Sequence, residues 1–177
     1  MHLDLEEGAG LYRLDSALRV AVSWELSRRG GFLCHAAAAD GWLFPGPTGA
    51  GKSTLGRSVP SRRLLGDELV GVVGGWIYGT PFRGNFRVGR NGARRPLEAV
   101  FFLDRAAPRG VRAVPKAEAL ARLLRCVLFF GEDAASGGRI LRAARACVER
   151  VPTFVLSYDA GETSFRSLER MIREALR

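Results

Sequence analysis

Gly46-Pro47-Thr48-Gly49-Ala50-Gly51-Lys52-Ser53-Thr54 is the stretch on which the reading of this 177-residue sequence turns. It satisfies G-x-x-x-x-G-K-[ST] at every fixed position, follows the apolar run Trp42-Leu43-Phe44, and leads into a helix expected from Lys52 onward. That strand, loop and helix order is the context a phosphate-cradling loop needs. Glycines let successive backbone N–H groups turn inward on phosphate oxygens, Lys52 would reach the β and γ phosphates, and the Ser53 hydroxyl would ligate Mg²⁺. Residues Gly46 to Thr54 are therefore the expected nucleotide-binding set, with ATP the expected donor and GTP or pyrophosphate left open. A plain glycine-rich turn could also end a strand here. Against that reading, Lys52 is one of only two lysines in the chain, the other being Lys116, and it falls where the chemistry requires one.

Upstream, Asp40-Gly41 separates the run Phe32–Ala39 from Trp42-Leu43-Phe44, a hairpin signal in which Gly41 is expected to accept a positive φ. Counting back from a two-residue turn pairs Ala39 with Trp42 and brings His35 opposite Gly46, beside the phosphates. An antiparallel partner next to the loop strand argues against an all-parallel sheet. Downstream, Gly74-Gly75 between 63–73 and 76–78 predicts a second hairpin. Within the first of its arms stand Asp67-Glu68, two adjacent carboxylates in an apolar strand region, costly to bury unless partnered. Neighbouring strand residues face opposite ways, so the two are expected to do different work. One would hold Mg²⁺, directly or through water, and the other would accept a proton from an attacking hydroxyl.

The rest of the chain alternates elements. A helix is expected over 16–28, begun by Asp15 or Ser16 and ended by Gly30-Gly31. Residues 79–95, rich in Gly, Arg and Asn, read as a long mobile loop over the substrate. Pro96 opens a buried strand to Leu103. Pro115 starts a helix carrying Leu120, Leu123, Leu124, Val127 and Leu128. A helix over 136–150, a strand over 152–158 and a helix over 163–176 follow. The expected fold is α/β, one domain with a mixed, partly antiparallel sheet around the phosphate loop and flanking helices.

Charge gives a first impression that the distribution corrects. There are 27 Lys+Arg against 18 Asp+Glu, a net +9, which suggests a nucleic-acid binder. The arginines are spread over the chain with no run of five, and no basic face interleaved with aromatics is evident, so no nucleic-acid partner is expected. The one cluster, Arg83, Arg87, Arg90, Arg94 and Arg95, falls in the 79–95 segment, where it would face anionic phosphate. No apolar stretch approaches the ~20 residues that span a bilayer, and the start, Met1-His2-Leu3-Asp4-Leu5-Glu6-Glu7, is acidic, unlike a signal peptide. Cys34, Cys126 and Cys147 are odd in number and lie far apart, and they read as buried small hydrophobes. Together these features point to the cytoplasm and away from a membrane.

These residues resemble the bacterial HPr serine kinase/phosphorylase family, P-loop kinases related in fold to phosphoenolpyruvate carboxykinase. The matching run is His35-Ala36, the hairpin, Gly46 to Ser53, and Leu64-Leu65-Gly66-Asp67-Glu68-Leu69-Val70. The stand-alone bacterial relatives also carry a T-P-F-x-G element, here Thr80-Pro81-Phe82-Arg83-Gly84, and a P-L-x-A-x-F-F-L strand, here Pro96 to Leu103. The resemblance covers about residues 12–160. It implies Asp67 as general base, Lys52 and His35 on the transferred phosphate, and Ser53 on the metal, with Glu68 where the family has its second acid, so that Ser53, Glu68 and Asp67 form the expected metal set. The 79–95 segment departs from the family's substrate-binding signature. Arg83 is the cation assigned to the transition state, with Arg87 and Arg95 as alternatives. The full-length family has a further domain before the kinase core, and at most about 30 residues precede the core here. HPr itself is therefore not the expected substrate. The activity implied is transfer of the γ-phosphate to a hydroxyl of a protein, peptide or small molecule, most simply a serine; stand-alone relatives include kinases of ribosomally made peptide precursors. From another class, the same loop would serve a nucleotide-dependent switch or assembly protein that transfers nothing. A homo-oligomer is left open.

Overall fold

A computed structural model describes residues 10–84, 89–131, 133–159 and 164–177, with side chains from Arg13 onward. The chain is α/β, and its described residues form a curled mixed sheet flanked by five helices. Helix α1 (Gly10–Arg28) leads into the nine-residue strand β1 (Gly31–Ala39). The helix starts earlier than its cap signal suggests, and Asp15 lies inside it, its carboxylate accepting from Arg19 Nε at 2.6 Å, one turn on, instead of capping a helix end. It stops at Gly30, whose φ of 70° lies in the left-handed region.

Strand β1 organises the sheet by changing partners halfway along. Its first half pairs on one side with β4 (Leu69–Val73), from Gly31 opposite Val73 to His35 opposite Leu69. The same half pairs on the other side with β9 (Val127–Leu128). Its second half pairs with β2 (Trp42–Pro45) and with β3 (Leu64–Gly66). The exchange occurs at the consecutive amides of His35, which donates to the Cys126 carbonyl at 2.7 Å, and Ala36, which donates to the Glu68 carbonyl at 3.1 Å. Val127 and Leu128 therefore leave the expected helix. Helix α3 spans Lys116–Leu124, and the two residues fill the edge of β1 that β2 leaves open beyond Pro45.

Both predicted hairpins form. Ala39 faces Trp42 as counted, but Asp40 takes the positive φ of 51° that was assigned to Gly41. Gly41 is needed for space, since a Cβ there would stand 2.6 Å from Glu98 Cγ and 2.7 Å from the Pro96 carbonyl. In the second hairpin Gly74 and Gly75 both have positive φ, 58° and 84°, between β4 and β5 (Trp76–Gly79). The 79–95 segment is not loop throughout. Arg94–Pro96 form β6 against β5, Gly89 bridges to Gly66, and Thr80 Oγ1 donates to the Leu69 carbonyl at 2.5 Å.

Beyond β2 the sheet becomes parallel: β2 runs beside β7 (Ala99–Leu103) and β7 beside β10 (Thr153–Ser157), with β8 (Gly110–Ala113) antiparallel at the edge. Alternation along β1 sends Phe32, Cys34, Ala36 and Ala38 to one face and Leu33, Ala37 and Ala39 to the other. The first face packs on α3 and on α4 (Ala134–Arg150) through Leu123, Ile140, Ala144 and Val148. The second packs on α1 through Val22 and Leu26, on α2 (Lys52–Ser58) through Leu55, and on α5 (Phe165–Ala175) through Phe165, Leu168 and Ile172. Asp133 and Ser164 cap α4 and α5 by accepting the Ser136 and Ser167 amides. The three cysteines are buried and unbridged, as expected. No helix among the described residues is long and apolar enough to cross a membrane.

Candidate functional site

The loop 46–51 leaves the carboxyl end of β2, beside the carboxyl ends of the parallel strands β7 and β10. Open α/β sheets bind their ligands at such ends. The conformation needs glycine at two points: Gly49 has φ 82° and Gly51 φ 102°. No atom lies within 4 Å of where a Gly49 Cβ would stand, so the loop is open there, whereas a Cβ on Gly51 would come 3.3 Å from Tyr158 Oη. That hydroxyl donates to the Gly51 carbonyl at 3.1 Å, and burial pushes the Tyr158 pKa up to about 12, keeping it a donor. Lys52, the first residue of α2, is buried and curls back under the loop, donating to the Gly46 and Pro47 carbonyls at 2.8 Å each. Desolvation lowers its pKa, opposed by the nearby Glu68 charge.

The ladder between β1 and β2 ends with Ala36 opposite Pro45, so His35 comes level with Gly46. Its side chain, on the face of Ala37, emerges between α1 and α2. His35 Nε2 stands 3.5 Å from Glu68 Oε2, and the imidazole beside it is the main cause holding the Glu68 carboxyl below its ordinary range. A cleft of about 520 Å³ opens here. Of the residues predicted from sequence, His35, Thr48, Gly49, Gly51, Lys52, Ser53, Thr54, Glu68 and Arg83 line it. Gly46, Pro47 and Ala50 face a second cleft of about 450 Å³ on the other side of the loop, which Thr48 and Gly49 also line.

Asp67 lines neither. The acidic pair sits in a bend between β3 and β4 rather than within a strand, and the bend turns Asp67 inward until it is fully buried. Its Oδ1 accepts from the Gly84 amide at 3.2 Å, while Oδ2 is buried with no hydrogen-bond partner among the described residues. Desolvation raises its pKa, only partly offset by the Gly84 bond. Gly84 lines the first cleft and separates Asp67 from it, with space so tight that a Gly84 Cβ would lie 3.0 Å from Asp67 Oδ2.

The arginine cluster disperses. Arg83 is in the first cleft, but Arg90 donates to the Arg62 carbonyl, Arg94 stacks on the Trp76 ring at 4.7 Å, and Arg95 donates to the Arg94 carbonyl. Arg87 lies outside the described residues. The cations that sequence reading missed are Arg19 of α1 and Arg105, which follows β7. Arg19 gave no signal, because its place depends on how α1 packs. Asp104-Arg105 and Tyr158 did give one, as polar residues directly after apolar strands that end beside the loop.

No group of three or more His, Cys, Asp or Glu among the described residues is arranged to hold a metal ion. Mg²⁺ needs no such cage, since it keeps several waters and takes one or two protein ligands plus phosphate oxygens. Ser53 and the ionised Glu68, on one cleft, fit that demand. The sequence matches no family model and no curated protein, so the site is read from its own geometry.

Proposed function

We propose that the protein is a kinase of the HPr kinase and phosphoenolpyruvate carboxykinase kind, transferring the γ-phosphoryl group of ATP to a hydroxyl, most simply a serine of a protein or peptide. The observation that carries this reading is the divergence of two adjacent carboxylates beside a glycine loop. Asp67 is pushed up by burial and Glu68 is held down by His35. Acid and base roles divide in this way when environment drives neighbouring pKa values apart. A raised carboxyl is the better proton acceptor, and a depressed one the more dependable anion.

The loop amides and Lys52 would bind the phosphate chain, with Lys52 exchanging its two loop carbonyls for phosphate oxygens. Mg²⁺, held by Ser53 and Glu68, would neutralise charge on the phosphate oxygens when bound. Arg83 and His35 would contact the group in flight. The bond from the γ phosphorus to its bridging oxygen breaks, releasing the nucleoside diphosphate, as the acceptor oxygen bonds to that phosphorus. The acceptor proton passes to Asp67, which requires Gly84 to shift aside. The test is incubation with γ-labelled ATP, Mg²⁺ and a panel of seryl peptides. Label on an acceptor hydroxyl, lost in Lys52→Ala, supports the kinase. Label released only as free phosphate identifies a nucleotide switch instead.

A further inference from the structure

We infer that the outward face of α1 is a docking surface for a second copy of this chain, the two α1 helices packing antiparallel across a twofold axis. A helix lying on a sheet ordinarily turns apolar residues inward and polar ones to water. Helix α1 does so only in part. Val22 and Leu26 pack inward, but Ser23 and Ser27 are buried with them, their hydroxyls donating to the Leu128 and Trp24 carbonyls at 2.7 Å each. The opposite side carries Leu14, Leu18, Val20 and Trp24, between 38% and 59% exposed. Phe129 and Phe130, 42% and 50% exposed, extend this patch, since they border one hollow together with Val20 and Trp24. At about 150–250 Å² for a large apolar side chain, these residues leave on the order of 500 Å² of apolar surface open. That exceeds the few hundred Å² ordinary for a monomer. It matches the apolar share, a little over half, of the roughly 800 Å² that each partner gives to a stable interface.

The order of residues along this face fits a copy of itself. A twofold axis makes every contact occur twice, with its two residues exchanged. At about 3.6 residues per turn, Leu14, Leu18, Ala21 and Glu25 follow one edge of the face and Arg13, Ala17, Val20 and Trp24 the other. In an antiparallel pair centred near residue 19, Leu18 packs on Ala21 of the partner subunit and Val20 on Ala17 of the partner subunit. Each central contact thus sets a larger side chain on a methyl group, and the same two contacts recur with the copies exchanged. Charge is confined to the ends of the face. Arg13 stands at one end, and Glu25 at the other, 3.8 Å from Arg28 and 2.6 Å from Arg29. Asp133 and Arg139 flank the Phe130 end. Pairing brings Arg13 toward Arg28 and Arg29 of the partner subunit, a rim repulsion that salt screens. Both phosphate-loop clefts stay open in such a pair, because Arg19 meets the first cleft from the other side of α1.

The test is sedimentation equilibrium of the whole chain from low micromolar to about 100 μM, a range that resolves dissociation constants typical of modest interfaces. The unaltered protein should reach twice its 19.3 kDa mass, and the dimer should hold or tighten as salt is added. Ala21→Arg should be monomeric throughout, with an unchanged circular dichroism spectrum. If that variant fails to fold, Trp24→Ser decides, with pairing weakened about tenfold or more. Orientation is read by mild oxidation of Leu14→Cys mixed with Glu25→Cys, which should give a disulfide-linked dimer that neither variant gives alone. A chain that remains monomeric, a dimer that survives Ala21→Arg or Trp24→Ser, or one that dissociates on adding salt overturns the inference. So does a disulfide formed by Leu14→Cys with itself, or no mixed disulfide.

Discussion

Two regions only one residue apart treat the same functional group in opposite ways. On the cleft wall, Glu68 meets an imidazole and the fields of Lys52 and Arg19, which hold its carboxyl below its ordinary range. In the layer beneath, Asp67 accepts from the Gly84 amide and is cut off from solvent, and burial makes its carboxyl hold its proton more tightly than usual. A bend between two short strands makes the difference, sending one carboxyl into the core and its neighbour to the cleft wall.

The strongest way to break that comparison is Asp67→Asn. Phosphotransfer should fall by roughly a thousandfold, the middle of the range for losing a general base, with nucleotide affinity unchanged, as read by label transfer and by direct binding. Stability should not fall in the same way. Because the folded-state pKa of Asp67 is raised above the ordinary 3.8, the native state loses stability as pH rises from 3.8 through that value. The variant escapes this loss, so its denaturation midpoint relative to the unaltered protein should climb with pH. Glu68→Gln should act on the metal instead, raising the Mg²⁺ concentration for half-maximal transfer by about 10–100-fold.

Gly84→Ala sharpens the boundary between the two regions. Its Cβ, 3.0 Å from Asp67 Oδ2, should cost about 1–2 kcal/mol in stability by overpacking, measurable by denaturant titration, and should slow transfer. Changing His35 to Gln should let Glu68 return toward its ordinary 4.5, so the loss of Mg²⁺ affinity should grow as pH falls toward that value. The smallest effect is expected far from both regions. Arg63 joins Asp40 at the hairpin tip to Glu169 of α5, and Glu169 is held at about 2. With a depressed folded-state pKa, its contribution is present above 4.5 and lost as pH falls through about 2. Glu169→Gln should therefore cost about 1 kcal/mol near neutrality, progressively less as pH falls toward 2, and leave transfer untouched.

What was legible in the sequence was local. The loop, both hairpins and the level of His35 with Gly46 follow from short-range spacing, because turn chemistry and strand register are set within a few residues. The opposed directions of Asp67 and Glu68 were also expected, although from strand alternation, whereas a bend produces them. Properties set by distant packing were not legible. Val127 and Leu128 kept helical spacing, yet an open edge on β1 recruited them as a strand. Arg90, Arg94 and Arg95 looked like a phosphate cluster until β5 and β6 paired and turned them away. Arg19 reaches the cleft only because α1 lies across β1.

The change of partners along β1 has a further consequence. Cys126 belongs to one cleft and Glu68 to the other, and each is fastened by its carbonyl to one of two neighbouring amides, those of His35 and Ala36. Two consecutive peptide units thus act as the gauge between the two chambers. One residue inserted at that point would shift both walls and send Ala37 and Ala39 to the opposite face. Length variation should accordingly be tolerated at the hairpin tips, and not between residues 35 and 36.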